Sequence, residues 1–358
     1  MRPPQEELIL LNADQRQLVQ ALERYLTAET GTATEVTGLE LMTGGNAREM
    51  WAFDATIRGE PRHLLLRKDP PGGGPHAIRF QLERETEFKA MQVARATGIP
   101  VAEVFWLIDD ATVFGEAAFI MERLEGETIP RRFLREPRFE GARQRAAYQL
   151  GEILGRLQAM DYAGLNLKET QAGEHPAVQQ LDEYAGFLDE LDDPRPAFEL
   201  GLRWLRDHVP ASWRPGLVHG DFRNGNLMFD ESGVRAVLDW ELVHPGDPME
   251  DIGWLCVRSW RYGNADKPVG GFGSREDLFA GYATTAGFEP DKAAVKYWEL
   301  LGTLKWGILS SSNKTKREQR IGVASGVMAA PGRALESLAQ SRRAAEMEFD
   351  VLQLLREM

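Results

Sequence analysis

Residues 217–254 read LVHGDFRNGNLMFDESGVRAVLDWELVHPGDPMEDIGW, and this stretch holds the densest set of chemistry-bearing residue types in the chain. Leu217 and Val218 form a short apolar strand that ends at His219-Gly220-Asp221. Asn226 stands five residues after Asp221. A second apolar run, Leu227 to Phe229, turns at Glu231 to Gly233 into a third, Val234 to Leu238, which delivers Asp239. The pattern is a β-hairpin with one carboxylate loop before it and another carboxylate behind it, so Asp221, Asn226 and Asp239 can converge on one side. Three oxygen-bearing side chains without cysteine or paired histidine suit a hard cation such as Mg²⁺ rather than zinc. Asp247 and Asp251 follow at a helix start, where Asp247-Pro248 reads as an N-cap and a first-turn proline.

Composition narrows what this segment can serve. The 358 residues carry 42 Lys and Arg against 55 Asp and Glu, a formal net charge of −13. Sequence-independent nucleic-acid binding depends on clustered Lys and Arg, so a chain this acidic argues against it. The single cysteine, Cys256, excludes a disulfide framework within the chain and a cysteine-based zinc site. No apolar run approaches the roughly 18 residues of a membrane helix. The N-terminus, MRPPQEELILLNAD, lacks the charged-then-apolar order of a signal peptide. The expectation is a soluble, cytoplasmic protein with no nucleic-acid or membrane partner, a monomer or a homodimer.

Periodicity divides the chain. Leu8, Leu11, Leu18, Leu22 and Leu26 predict an amphipathic helix over 5–30. Trp51, Phe53, Ala55 and Ile57 alternate as in a half-buried strand, behind a glycine-bearing turn at Thr43 to Asn46. Short strands are expected at 63–68, 101–108 and 117–124, with a charged helix at 78–96 stopped by Gly98 and Pro100. Beyond Gly126, helical patterns dominate at 139–160, 176–208, 275–285, 290–310 and 335–357. This describes a small β-rich N-terminal lobe and a larger helical C-terminal lobe, joined near Glu122 to Gly126.

The string H-G-D-x-x-x-x-N followed by L-D-W resembles the catalytic segment of the aminoglycoside phosphotransferase and choline kinase group, small-molecule kinases with a protein-kinase-like fold. It parallels the H-R-D-x-x-x-x-N and D-F-G pair of protein kinases. Arg67 to Gly72 (R-K-x-P-P-G), L-D-W-E from Leu238, and Tyr297 to Trp306 are similar to the phosphotransferase domains related to those fused to some acyl-CoA dehydrogenases. The family's usual L-H in the helix before the catalytic loop is Leu157-Gln158 here. The resemblance implies an α+β, bilobal protein-kinase-like fold with residues 1–124 as nucleotide-binding lobe and 125–358 as helical lobe. It implies ATP and Mg²⁺ as cofactors and transfer of the γ-phosphate to a hydroxyl of a small molecule.

The same resemblance assigns residues. Asp221 would accept or orient the proton of the attacking hydroxyl. Asn226 and Asp239 would hold Mg²⁺, while His219 and Asp251 would support the catalytic loop. Gly44, Gly45 and Asn46 would lie over the phosphates, where backbone N–H groups approach without side-chain obstruction. Arg67 takes the strand position of the protein-kinase lysine, with Lys68 on the opposite face, and the resemblance leaves open which of the two meets the phosphates. Its charge partner is expected from Glu83, Glu85 or Glu87, and the family pattern favours Glu85. The backbone near Glu122 and Leu124 would pair with adenine.

The acceptor reading rests on charge. Arg131, Arg132, Arg135 and Arg138 are four arginines in eight residues, and arginine suits carboxylate and phosphate recognition. Arg131 and Arg132 are therefore expected on the acceptor side, with Trp306 on the aromatic stripe of 294–307. This favours an anionic hydroxyacid or hydroxyacyl-CoA. The rival readings are an aminoglycoside kinase, a nucleotide-binding pseudokinase and a metal-dependent phosphohydrolase.

Overall fold

The computed structural model describes residues 11–42, 49–69, 82–167, 174–191, 194–324 and 331–358, with the helical backbone alone at 312–324, 331–341 and 343. The chain forms two compact units, each described here by itself. The first comprises 1–126 with two later segments, 161–167 and 236–243. Asp239, sought in the helical lobe, thus belongs to the first unit.

The first unit opens with helix α1 (Ala13–Thr30), then β1 (Glu35–Leu41), β2 (Glu49–Ile57) and β3 (Glu60–Lys68). Helix α2 (Arg84–Ala96), β4 (Val104–Ile108), the short α3 (Ala111–Phe114) and β5 (Ala118–Glu122) follow. The strands make one antiparallel sheet in the order β1-β2-β3-β5-β4. Val19, Leu22 and Leu26 of α1 pack on Phe53, Leu64 and Ile120 of the sheet. Helix α1 starts at Ala13, where Asn12 and Gln15 form a capping box, each side chain bonding the other's backbone N–H at 2.8 and 3.0 Å. Residues 1–10 lie outside the described residues. Two backbone bonds tie segment 236–243 to this unit, Val237 N–H to Pro100 C=O and Leu82 N–H to Glu241 C=O, both 2.8 Å.

The second unit holds helices α4 (Pro130–Arg135), α5 (Glu140–Gln158), α6 (Pro176–Asp189) and α7 (Pro196–Asp207). The single helix expected at 176–208 is two, because Pro194 and Pro196 cannot continue a helical hydrogen-bond ladder. Next come β6 (Gly216–Val218), β7 (Leu227–Asp230), β8 (Gly233–Val237) and β9 (His244–Gly246), then α8 (Met249–Cys256), α9 (Arg275–Ala286), α10 (Lys292–Ala324) and α11 (Pro331–Glu357). Strand β8 carries the chain back into the first unit. Strand β9, not anticipated, pairs antiparallel with β6. Helices α5 and α9 approach backbone to backbone. A Cβ on Gly151 would lie 2.1 Å from Leu278 O, and one on Gly281 2.0 Å from Tyr148 O, so only glycine fits at the crossing. Among the described residues no helix is long and apolar enough to cross a membrane.

Candidate active site

Strand β6 delivers His219, which is fully buried, into a loop clamped from helix α8. Asp251 of α8 accepts two consecutive N–H groups of the loop, His219 N–H on Oδ2 at 2.6 Å and Gly220 N–H on Oδ1 at 3.0 Å. Gly220, at φ +83°, takes the left-handed conformation open to glycine. His219 Nδ1 accepts the N–H of Asp221 at 3.3 Å, holding the loop from inside. Burial, reinforced by the neighbouring Glu250, pushes the Asp251 carboxyl up to about 7 despite its two N–H donors.

The Asp221 carboxylate receives three side-chain hydrogen bonds. Asn226 Nδ2 donates to Oδ2 at 2.6 Å, while Arg223 Nε and Trp254 Nε1 each donate to Oδ1 at 2.9 Å. The Asn226 amide also bonds Asp221 C=O at 3.1 Å. With Nδ2 so engaged, Oδ1 of Asn226 is the atom left to meet a cation. Trp254 heads an aromatic wall in which Trp260 packs against Trp254 at 5.1 Å and Trp306 against Trp260 at 5.0 Å.

Asp247, which precedes α8, is buried, accepting Trp298 Nε1 at 2.7 Å and Met249 N–H at 3.1 Å. The helix begins at Met249, one residue later than the cap reading placed it, and Asp247 bonds its first N–H. Burial pushes the Asp247 carboxyl up to about 6. The folded chain therefore holds this proton more tightly than the unfolded chain, so the contribution is fully present below about pH 4 and is lost as pH rises through 6. Between pH 4 and pH 7, urea titrations of Asp247→Asn should show a shallower fall in stability than the parent, by up to roughly 3 kcal/mol. Parallel profiles would contradict this account.

In the first unit, Arg67 of β3 is buried among carboxylates. Its NH1 bonds Asp239 Oδ1 at 3.0 Å, and its NH2 meets Glu87 Oε1 and Glu241 Oε2, both at 3.1 Å. Burial works against the charge, but the three carboxylates outweigh it and raise the guanidinium above its ordinary value. Lys68 points the other way and pairs with Glu49 at 3.2 Å. Glu85 is not the partner of Arg67. It is half-exposed and pairs with Lys89, whereas Glu87, about 1% exposed, faces both Arg67 and Arg84. Two residues along a helix turn the side chain by roughly 200°, so only one of the pair can face the sheet.

Asp239 sits at φ +57°, a left-handed conformation that Asp tolerates better than most residues. Its side chain is 45% exposed where that of Arg67 is 6%. At the end of β5, Arg123 N–H bonds His63 C=O at 2.9 Å. By the alternation of an antiparallel ladder, Glu122 and Leu124 turn their backbone groups to the opposite edge, where Glu122 N–H takes Glu103 C=O at 2.8 Å.

The structure brings Asp221, Asn226, His219 and Asp251 together in one unit, and Arg67 and Asp239 together in the other. Gly44, Gly45 and Asn46 lie outside the described residues. Arg131 and Arg132 are exposed on α4, where Arg132 and Arg138 approach the buried Glu127 at 3.9 and 3.5 Å. Sequence reasoning missed Arg223, Trp254 and Glu241. Trp254 follows Asp251 by three residues, so a helical projection puts both on one face of α8.

A model of the phosphotransferase enzyme family matches residues 44–288. The chain belongs to this family. Among curated relatives of this chain, acyl-CoA dehydrogenase family member 10 of Mus musculus is 33% identical over 245 residues, 66% of this chain and 22% of the relative. Probable acyl-CoA dehydrogenase IBR3 of Arabidopsis thaliana is 32% identical over 213 residues, 55% of this chain and 25% of the relative. The chain thus spans about a quarter of the length of these relatives. Among solved structures, a putative aminoglycoside phosphotransferase from Ralstonia eutropha aligns with a TM-score of 0.67 at 21% identity, over 94% of this chain and 98% of that one. Aminoglycoside phosphotransferase APH(4)-Ia, in ternary complex with ADP and hygromycin B, aligns with a TM-score of 0.54 at 16% identity, over 92% and 98%. At these identities the likeness shows the fold, which is kinase-like, with a small antiparallel-sheet unit and a helical C-terminal part.

Proposed function

We propose that this phosphotransferase is an ATP- and Mg²⁺-dependent small-molecule kinase that transfers the γ-phosphate to a hydroxyl of an anionic hydroxyacid or hydroxyacyl-CoA. The observation that carries the reading is the Asp221 carboxylate, bonded to Asn226 and seated on a loop that Asp251 clamps. Phosphoryl transfer asks the protein for positioning and charge neutralisation rather than covalent chemistry. In the step, the acceptor O–H breaks and its proton passes to Asp221 while the oxygen's electron pair bonds the γ-phosphorus. The bridging oxygen leaves with its pair on ADP.

The available donors fit magnesium. Asn226 Oδ1 and the Asp239 carboxylate are hard oxygen donors of the kind that would hold it, and Asp239 is oriented by Arg67. When bound, Mg²⁺ neutralises phosphate charge. Arg67 would contact phosphate, and the backbone near Glu122 and Leu124 would meet adenine. The ADP in the APH(4)-Ia complex supports a nucleotide here. Gly44, Gly45 and Asn46, which lie outside the described residues, would cover the phosphates.

Two cations flank Asp221. Arg223 lies 4.6 Å from the centre of the Trp260 ring and Lys305 Nζ 5.0 Å from that of Trp254. These ring faces are where an ammonium ligand would otherwise stack, which disfavours a polycationic aminoglycoside and supports an anionic acceptor against Trp306. Arg131 and Arg132 would extend the positive surface. The test is a panel of hydroxyacids, hydroxyacyl-CoAs, amino-alcohols and aminoglycosides with Mg-ATP, scored by ADP release and thermal shift. Acceptor-dependent ADP release with the anionic compounds is expected. Turnover with aminoglycosides alone would overturn the acceptor assignment, and nucleotide binding without any turnover would favour the pseudokinase.

A further inference from the structure

The two oxygens of Asp221 are not equivalent. Among the described residues, Oδ1 accepts from both Arg223 Nε and Trp254 Nε1 at 2.9 Å, whereas Oδ2 accepts from Asn226 Nδ2, at 2.6 Å. A carboxylate oxygen offers about two lone-pair positions. Those of Oδ1 are therefore filled by side chains, and one on Oδ2 remains.

Both donors to Oδ1 are held in place by stacking. The Arg223 guanidinium lies over Trp260, and Trp260 packs edge-on against Trp254 with centroids 5.1 Å apart. Trp254 is 5% exposed and carries the Lys305 ammonium over its ring. Lys305 is in turn anchored 3.9 Å from Glu250, which also accepts Gln180 Nε2 at 2.7 Å. The part-buried Lys305 ammonium, placed on the indole face, fixes the plane from which Trp254 donates.

We propose, on the reading that Asp221 receives the hydroxyl proton, that Trp254 and Arg223 are positioning residues that close Oδ1, so that the acceptor hydroxyl donates to Oδ2, on the Asn226 side of the carboxylate. The attacking oxygen then approaches from one direction, next to the side chain assigned to Mg²⁺. In that step the hydroxyl O–H bond breaks, its proton goes to Oδ2, and its electron pair forms the new bond to the γ-phosphorus as ADP departs. Losing either donor opens Oδ1 to a second, misaligned hydroxyl pose. The effect belongs to kcat, because neither residue is assigned to the nucleotide.

The test uses the full chain, Mg-ATP and the best acceptor of the panel. Trp254→Phe removes the N–H and keeps an aromatic body beneath Lys305. It is expected to lower kcat about tenfold, the scale of one hydrogen bond to a charged group, with KM for ATP within about twofold. Arg223→Met should do the same, and Arg223→Lys, which still donates, should recover most of the loss. The double variant should lose less than the product of the two single losses, since both act on one oxygen. Unchanged kcat in Trp254→Phe, a rise confined to KM for ATP, or strictly multiplicative losses would overturn the proposal. If Trp254→Phe does not fold, the Arg223 pair decides by the same criteria. Asp221→Asn separates the two levels. Full turnover in that variant sinks the underlying reading, whereas an inactive Asp221→Asn beside an unimpaired Trp254→Phe sinks only this proposal.

Discussion

Asp221→Asn is expected to lower the rate of phosphoryl transfer by a factor of about 10² to 10⁴, with the fold and nucleotide binding retained. The amide matches the carboxylate in shape. Its oxygen can still accept from Arg223 and Trp254, so the local geometry has reason to persist. It cannot take the proton of an attacking hydroxyl. The amide nitrogen would also face the Nδ2 donor of Asn226 where the carboxylate now accepts at 2.6 Å, which adds a local mismatch of two donors. Single-turnover kinetics with saturating Mg-ATP would measure the chemical step, and the ATP-induced thermal shift would report binding separately. A variant that binds ATP and turns over at the parent rate contradicts the role given to Asp221.

Arg67→Met should produce the largest combined loss of stability and nucleotide affinity. The guanidinium is the hub for Glu87, Asp239 and Glu241. Removing one partner of a buried ion pair costs about 3–5 kcal/mol, because the remaining charge keeps its desolvation penalty without its counterion. Arg84 stays on Glu87 and limits the damage on that side. Asp239 has less support, since its Oδ1 loses the NH1 donor that orients it. KM for Mg-ATP should rise at least tenfold in whatever fraction folds. Arg67→Lys tests the geometry, because an ammonium is a point donor and lacks the planar fork that reaches Asp239 with one arm and two glutamates with the other. It should fall between the parent and Arg67→Met in both denaturation midpoint and KM. Equal behaviour of Arg67→Lys and the parent would mean that the fork geometry is irrelevant.

Much of the second unit's site was legible because its spacing is local. The five-residue step from Asp221 to Asn226 is set by a single loop, and the structure joins the two by a hydrogen bond. The resemblance implied Asp251 as support for that loop, and its carboxylate accepts the His219 and Gly220 N–H groups. What depended on helical phase was read less well. Glu85 and Glu87 look alike in a charged run, yet Glu87 shares a stripe with the buried Arg84, Phe88 and Met91 and so faces inward. Trp254 and Lys305 carry no mark of this site in the sequence, because each reaches Asp221's surroundings from a different helix. Glu241 and β9 were missed since each gains its meaning from a distant partner, Arg67 in one case and β6 in the other. The break between α6 and α7 was readable from Pro194 and Pro196, which the long apolar periodicity of 176–208 masked.

The central claim is transfer of phosphate to a hydroxyl with Asp221 at the acceptor. The most direct measurement is phosphorus NMR of the reaction with Mg-ATP and a hydroxyacid or hydroxyacyl-CoA, run beside Asp221→Asn. The account predicts a new phosphate monoester on the acceptor, formed in step with ADP and absent from the variant. Free inorganic phosphate as the only product, or the same ester formed at the same rate by Asp221→Asn, would contradict it.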